Sequence, residues 1–457
     1  MLVEQPRPRV VREHPKAGWF AVAAVCFGAF MGQLDASIVT LTFPALQREF
    51  GAPLAAVQWV SLAYLLTLVG LLAAVGRIAD AVGRKLTYVY GFGVFTVASV
   101  ACGLAPTLGL LVVFRVVQAA GAAMLQANSV ALVVTSVPKT QARAALGVQA
   151  AAQALGLALG PAVGGLLVST AGWRWVFLVN VPVGVLGLVA GRYLLPRTRE
   201  RNPLGRRFDA AGVVLLALAS TALLLALSGV SGLGLPVWAV LALAGAGALA
   251  AVGFVRRERR ASSPIVCLSL LRPAAVSLGL AGAMCGYLVL FGPLTLLPQV
   301  LGTGGASGLV LTALPAGFAV AAVAAERVLP AGFGTRARSV TGALAAAAGC
   351  LALVAASGSV PLIGVSLFVA GLGLGMFIPA NNAAIMGGIP ATMAATGGGL
   401  VNMARGLGTA LGVALVTLCL HAALGAGERL ALAVLALGGV VAAVTGLAAG
   451  RSRTADV

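Results

Sequence analysis

Charge is scarce in this chain. Only 9% of its 457 residues are Asp, Glu, Lys or Arg, with 11 acids against 30 bases. A water-soluble domain carries about a quarter charged residues to cover its surface. With 60% apolar residues and a mean hydropathy of +1.05, the chain cannot dress such a surface, whereas a bilayer can solvate it. Histidine is nearly absent: His14 lies in the polar N-tail and His421 at the end of an apolar run, which removes a histidine-based metal site. The six cysteines (Cys26, Cys102, Cys267, Cys285, Cys350, Cys419) form no close pair and fall mostly within apolar stretches, which argues against a disulfide framework or zinc site. No Walker motif is present to power a self-contained ATP-driven pump. Neither a His–Glu helix motif nor paired acids within one span offer an intramembrane catalytic centre, so an enzyme, a catalytic residue or a bound metal is not expected.

What the chain has instead is long apolar runs. Fourteen are expected to form membrane helices: 17–42, 56–76, 86–104, 107–131, 143–169, 175–195, 210–229, 236–255, 274–299, 306–325, 339–357, 361–383, 395–421 and 428–450. The first is too long for a signal-peptide core and is expected to stay as a span. The net charge of +19 could suggest nucleic acid, but the bases sit in short runs between apolar stretches, and no nucleic-acid partner is expected. With the N-terminus in the cytoplasm and strict alternation, 25 of the 30 basic residues fall in cytoplasmic segments. Three (Arg48, Arg174, Arg429) lie outside, and two (Arg115, Arg405) lie within spans. A miscounted helix would invert this pattern downstream, so the asymmetry supports both the even count and two cytoplasmic termini. Arg outnumbers Lys, and Ala and Gly are abundant, which suggests a GC-rich bacterial gene and a multi-pass cytoplasmic (inner) membrane protein. The semi-apolar stretch 261–273 reads as an amphipathic surface helix or a plain loop.

Ionisable groups inside a bilayer cost about 2.5–3.5 kcal/mol each on the insertion scale. Of the acids, only Asp35 falls well inside an apolar run; Glu200 and Glu258 fall in cytoplasmic segments and Asp209 and Glu326 at span edges. Asp35 must face water or a protein partner. It reads either as a carboxylate that loads and releases a proton or as a structural anchor. Arg115 is the matching cation in the fourth span, and Arg405, in the thirteenth, lines a cavity or is buried. Gly156, Gly160 and Gly164 share one helix face at a spacing that permits close helix approach, with Pro161 and Gly165 beside them. Spacing alone favours static packing there. The stretch Gly76–Lys85 joins two spans through a compact charge cluster, suited to a conformational latch or to topology alone.

These stretches resemble the major facilitator superfamily, and within it the fourteen-helix drug:proton antiporters. Gly76-Arg77-Ile78-Ala79-Asp80-Ala81-Val82-Gly83-Arg84-Lys85 resembles the signature loop G-x-L-A-D-x-x-G-R-K. Leu34-Asp35 through Pro44 resembles the first-helix motif, with Ser37 for Thr. Arg115-Val-Val-Gln118-Ala119-Ala-Gly121 resembles the fourth-helix motif, with Ala119 for Gly, and Gly156–Gly165 the fifth-helix antiporter motif. Trp173 through Gly184 is similar to the start of the sixth helix, and Pro379–Met386 and Asn402–Gly412 to the C-terminal half. The second-half copy of the charged loop, 325–336, is degenerate.

The resemblance implies an all-α membrane protein of the major facilitator fold. Two six-helix bundles (17–195 and 274–450) would be separated by a linker, 196–273, carrying two extra helices, with tails at 1–16 and 451–457. It implies export of hydrophobic drugs, antibiotics or metabolites, driven by a proton gradient without a cofactor, by a monomer in the lipid bilayer. In this reading Asp35 and Arg115 couple to protons and Gly76, Asp80, Gly83, Arg84 and Lys85 form the gating loop. Gly156, Gly160, Pro161, Gly164 and Gly165 form the antiporter helix, and Gln118, Asn402 and Arg405 are candidate cavity residues. A proton-coupled uptake permease or a narrow-specificity metabolite exporter of the same fold is the alternative; the fifth-helix motif argues against uptake. With Asp35 the only deep acid, one carboxylate must serve proton and substrate, or the substrate is neutral.

Overall fold

The computed structural model describes residues 6–198, 209–261, 264, 268–301, 309–328, 334–356, 359–389, 394–422 and 426–451. It is helical throughout, with no strand among the described residues. Fourteen long helices follow the chain: α1 Ala17–Ile38, α2 Trp59–Val82, α3 Arg84–Gly103, α4 Leu108–Ser136, α5 Ala142–Thr170, α6 Asn180–Leu194, α7 Ala210–Ser228, α8 Val237–Arg260, α9 Ala274–Leu301, α10 Ala313–Val328, α11 Thr335–Ala355, α12 Val360–Gly387, α13 Ala394–Ala422 and α14 Gly427–Arg451. Among the described residues, thirteen helical spans are long and apolar enough to cross a bilayer, and Leu309–Ala322, at the tenth helix, is a shorter apolar one. Each of the fourteen expected spans therefore has its helix. Pro161, Pro293, Pro298 and Pro379 lie inside helices that continue past them, which membrane helices tolerate because neighbours re-satisfy the backbone.

Helix pairing reveals an internal repeat. In the first half α1 packs on α4, α5 and α6, α4 on α2 and α3, and α6 on α3. In the second half α9 packs on α12, α13 and α14, α12 on α10 and α11, and α14 on α11. The second set is the first shifted by eight helices, so each half is a six-helix bundle and α7 and α8 are inserted between them. The bundles meet through α2 with α13 and α5 with α10. Leu41 and Leu157 of the first bundle join the apolar core of the second.

The inserted pair forms a hairpin whose first helix, α7, lies against α2 and α13. Asp209 caps α7 through the Gly212 amide and accepts from Arg257 Nε of α8 at 3.0 Å. Gln58 Nε2 donates to Ser228 Oγ at 2.8 Å, tying the start of α2 to the end of α7. Trp238, Leu241, Leu249 and Val252 of α8 are exposed, a face only lipid can solvate. Glu258, expected in a cytoplasmic loop, is instead buried within α8, which runs on through the basic cluster to Arg260. Of the segment 261–273, the described part holds one short turn, Leu268–Leu271; residues 262–263 and 265–267 lie outside the described residues.

Candidate functional site: a buried ion pair beside a central cavity

Asp35 sits in the last turn of α1, where no water reaches it: its side chain is fully buried. Arg115 Nη1 of α4 donates to Asp35 Oδ2 at 2.6 Å. Asn180 Nδ2 of α6 and Gln118 Nε2 of α4 donate to Oδ1 at 2.9 and 3.1 Å. The carboxylate thus holds three donors from two other helices. Arg115 is equally enclosed, with 1% exposure; its Nε donates to the Val60 carbonyl at 2.9 Å and its Nη1 also to Gln118 Oε1 at 2.6 Å. Gln118 Nε2 reaches Ser99 Oγ of α3 at 2.8 Å. The guanidinium lies 4.1 Å from the Tyr64 ring centroid and 5.7 Å from that of Phe177. Five helices and one short helix (Arg174–Leu178) therefore converge on a single ion pair. In a low-dielectric interior such a pair persists only when hydrogen bonds support it, and here the amides of Gln118 and Asn180 supply them to the carboxylate. Of the two expectations for Asp35, the protein partner holds in this structure, and the cavity does not touch it.

The cavity lies next door, between the bundles. Its polar lining is Gln33, Tyr64, Gln126, Asn402, Arg405 and Thr409. Leu65, Leu68, Val69 and Leu72 of α2 form one apolar wall, with Phe291 from α9. Asn402 and Arg405 line it. Gln118 does not: its side chain is consumed by the ion pair, because it lies one helical turn from Arg115 on the same face of α4. Arg405 Nη2 donates to Gln126 Oε1 at 2.6 Å, a hydrogen bond from the second bundle to the first. Tyr64 belongs to both regions, stacked on Arg115 and lining the cavity; its hydroxyl is buried with no hydrogen-bond partner. Tyr64, Ser99 and Gln126 carry no signal in the sequence, since an uncharged polar residue in an apolar helix leaves no mark on charge or periodicity; Asn180 lies in the stretch similar to the start of the sixth helix, which assigns it no partner.

The glycine face of α5 is packed backbone to backbone on α1. A methyl group at Gly156 would strike the Phe30 carbonyl, one at Gly160 the Ser37 hydroxyl, and one at Gly164 would meet Ile38 Cγ1 at 2.7 Å. Pro161 and Gly165 are buried beside them. At this contact α1 ends: Ser37 Oγ donates to the Gln33 and Leu34 carbonyls, Thr42 Oγ1 to that of Val39, and the chain tightens into a 3-10 turn, Val39–Thr42, before Pro44.

The stretch Gly76–Lys85 is not a loop. α2 continues to Val82, Gly83 alone breaks the helix at φ +120°, and α3 starts at Arg84. Its polar residues mark no connection, because a membrane helix can run on beyond the hydrocarbon layer. Gly76 lies inside α2 with only Ala127 at its van der Waals limit. Lys85 is buried; its Nζ donates to the Leu195 carbonyl at 2.8 Å and its backbone amide to Thr198 Oγ1 at 2.9 Å, clamping the start of α3 to the end of α6. Arg84 is partly buried at the same helix start. The side chains of Arg77 and Asp80 lie outside the described residues. In the second bundle, Asn381 Nδ2 donates to the Gly279 carbonyl at 2.8 Å, fastening α12 to α9.

Comparison with known proteins adds to this geometry. The family described as Major Facilitator Superfamily matches residues 25–413. A Yersinia enterocolitica protein named multidrug resistance protein MdtD is 38% identical over 260 residues, covering 57% of this chain and 55% of that protein. The tetracenomycin C resistance and export protein of Streptomyces glaucescens is 36% identical over 278 residues, covering 60% and 51%. The aligned chain thus spans about half the length of these relatives. Among solved structures, a peptide transporter of the POT family in complex with sulfate superposes with a TM-score of 0.71 at 17% identity, over 98% of this chain and 97% of that one. The xylose transporter XylE from E. coli, inward open, superposes at 0.64 with 14% identity, over 94% and 96%. At such identities the likeness concerns the fold alone.

Proposed function

The chain belongs to the major facilitator superfamily, and from that premise we propose that it exports hydrophobic small molecules in exchange for protons. It acts as a monomer in a bacterial cytoplasmic membrane, with both termini inside. The two relatives named for multidrug resistance and for tetracenomycin C resistance and export support the direction of transport. The distribution of basic residues supports the orientation. One chain supplying both walls of the cavity supports the monomer.

The observation that carries the reading is the Asp35–Arg115 pair, buried at the meeting point of α1, α2, α3, α4 and α6 and one aromatic ring from the cavity. Protonation of Asp35 removes the negative charge that holds Arg115. The guanidinium then keeps the Val60 carbonyl and Gln118 as partners but loses its ion pair. Helices that share this pair have different balances in the two protonation states, so a proton entering from outside shifts the population of bundle orientations. Release of the proton inward restores the pair. The glycine contact between α1 and α5 lets the helix carrying Asp35 pack without intervening side chains. Substrate occupies the cavity, where the apolar wall of α2 receives its rings and the polar groups of α4 and α13 orient it.

The test uses proteoliposomes with an imposed proton gradient and a panel of hydrophobic aromatic compounds, wild type beside Asp35→Asn. Gradient-dependent movement lost in the variant is the expected result. Uphill transport by Asp35→Asn equal to wild type would refute the proton role.

A further inference from the structure

The charge of the cavity identifies the kind of molecule it takes. Among the described residues that line it there is one ion, Arg405, and no carboxylate. Asp35, on a helix that also lines the cavity, is fully buried and saturated by Arg115, Asn180 and Gln118, so it offers nothing to a ligand. Arg115 is neutralised by Asp35; Arg405 is not neutralised by any described acid. Its one hydrogen bond is to the neutral amide of Gln126. A guanidinium has five N–H donors in a planar fork and stays charged at any working pH, so four donors remain for water or ligand. A cation held inside a membrane protein without a counter-ion is unfavourable, and an anion that supplies one is favoured by the same low dielectric that penalises the bare charge. The same field repels a second cation.

The neighbours of Arg405 fit an acidic amphiphile. Asn402 precedes it by one turn of α13 and Thr409 follows by one turn, so three polar side chains lie along one face of that helix. Opposite stands the apolar wall of Leu65, Leu68, Val69 and Leu72. A molecule with a carboxylate or phenolate at one end and fused or aromatic rings at the other satisfies both. We infer that the substrate is an organic anion of this kind, bound head-first to Arg405, rather than a lipophilic cation. The inference deepens the export reading above and rests on the cavity being the transport site. Arg405 also links the bundles through Gln126, so an arriving anion competes for the guanidinium and loosens that cross-bundle bond.

Binding is measured on the purified full-length chain in detergent, without any gradient, using three fluorescent probes with one ring system: anthracene carboxylate, anthracenylmethylammonium and anthracenemethanol. Wild type is expected to bind the carboxylate at least tenfold more tightly than the ammonium. Arg405→Gln is expected to erase that preference, and Arg405→Lys, which keeps the charge, to retain most of it. Thermal unfolding confirms that each variant folds; if Arg405→Gln does not, wild type and Arg405→Lys still decide. Equal or tighter binding of the ammonium, no binding of the carboxylate, or a preference unchanged in folded Arg405→Gln each overturns the inference. Carboxylate preference with no gradient-driven movement in proteoliposomes would refute the export reading and leave this one standing. Gradient-driven movement of the ammonium with the carboxylate excluded would do the reverse.

Discussion

Gly160 of α5 and Ser37 of α1 stand so close that a single methyl group at Gly160 would overlap the serine hydroxyl. That hydroxyl is not free to swing away, because it donates to the Gln33 and Leu34 carbonyls where α1 tightens. The contact sets how near α5 can come to the turn of helix that carries Asp35.

Enlarging this face therefore should push the helices apart. Gly156→Ala presents a methyl to a backbone carbonyl, which cannot rotate out of the way, and Gly160→Ala presents one to Ser37. Each is expected to cost about 1–3 kcal/mol by overpacking. Gly109→Ala in α4, where a methyl meets nothing within 4 Å, is the control and should be silent. Thermal unfolding of the three variants in one detergent checks the order; a Gly156→Ala protein as stable as Gly109→Ala would contradict the packing argument.

Lys85 invites a second substitution. Its ammonium is buried and donates to the Leu195 carbonyl at the end of α6. Lys85→Met keeps much of the stem and removes the donor, leaving that carbonyl without its bond from the lysine. A loss of about 1–3 kcal/mol is expected. Hydrogen exchange should rise at the last turn of α6 while α11 and α12 remain as in wild type. Uniform exchange across both bundles would mean that Lys85 holds nothing locally.

Much of this architecture is legible in the sequence, and the reason is physical. Helix number and order follow from apolar length, and Asp35, Arg115 and Arg405 stand out because charge is expensive in hydrocarbon. The partners of those charges are less visible. Asn180 and Ser99 look like ordinary polar residues in apolar helices, and only tertiary packing brings them to Asp35 and Gln118. Gln118 is a candidate cavity residue through its resemblance to the fourth-helix motif, but its face of α4 is the one that Arg115 occupies. Helix ends are less legible than helix centres. Polar residues after Gly76 signal the end of the hydrocarbon, not the end of the helix, which Gly83 breaks seven residues later.

Tyr64 separates the ion pair from the cavity, and its two halves can be tested apart. The hydroxyl has no partner, so Tyr64→Phe removes a buried unsatisfied group and is expected to leave stability unchanged or slightly raised. The ring covers Arg115, so Tyr64→Ala takes away the stack and leaves the pair open to cavity water. Proton leak into liposomes without substrate should then rise in Tyr64→Ala and stay at the wild-type level in Tyr64→Phe. Equal leak in both variants would remove the ring from its screening role.

The ion pair itself separates stability from coupling. Asp35→Asn strands the Arg115 guanidinium in a dry interior, and Arg115→Gln strands the carboxylate. Breaking a buried pair from one side costs about 3–5 kcal/mol, mostly the penalty of the charge left behind. Asp35→Asn combined with Arg115→Gln leaves neither charge, and the amides can still pair with each other, Asn180 and Gln118. The double variant is therefore expected to recover most of the lost thermal stability. It should not recover gradient-driven transport, because no group remains at Asp35 to take up a proton. Measuring unfolding temperature and proteoliposome transport on the same four proteins decides the matter. If the double variant regains both, the pair is structural and the proton travels elsewhere; if it regains stability alone, the carboxylate is the coupling group and Arg115 is its counter-ion.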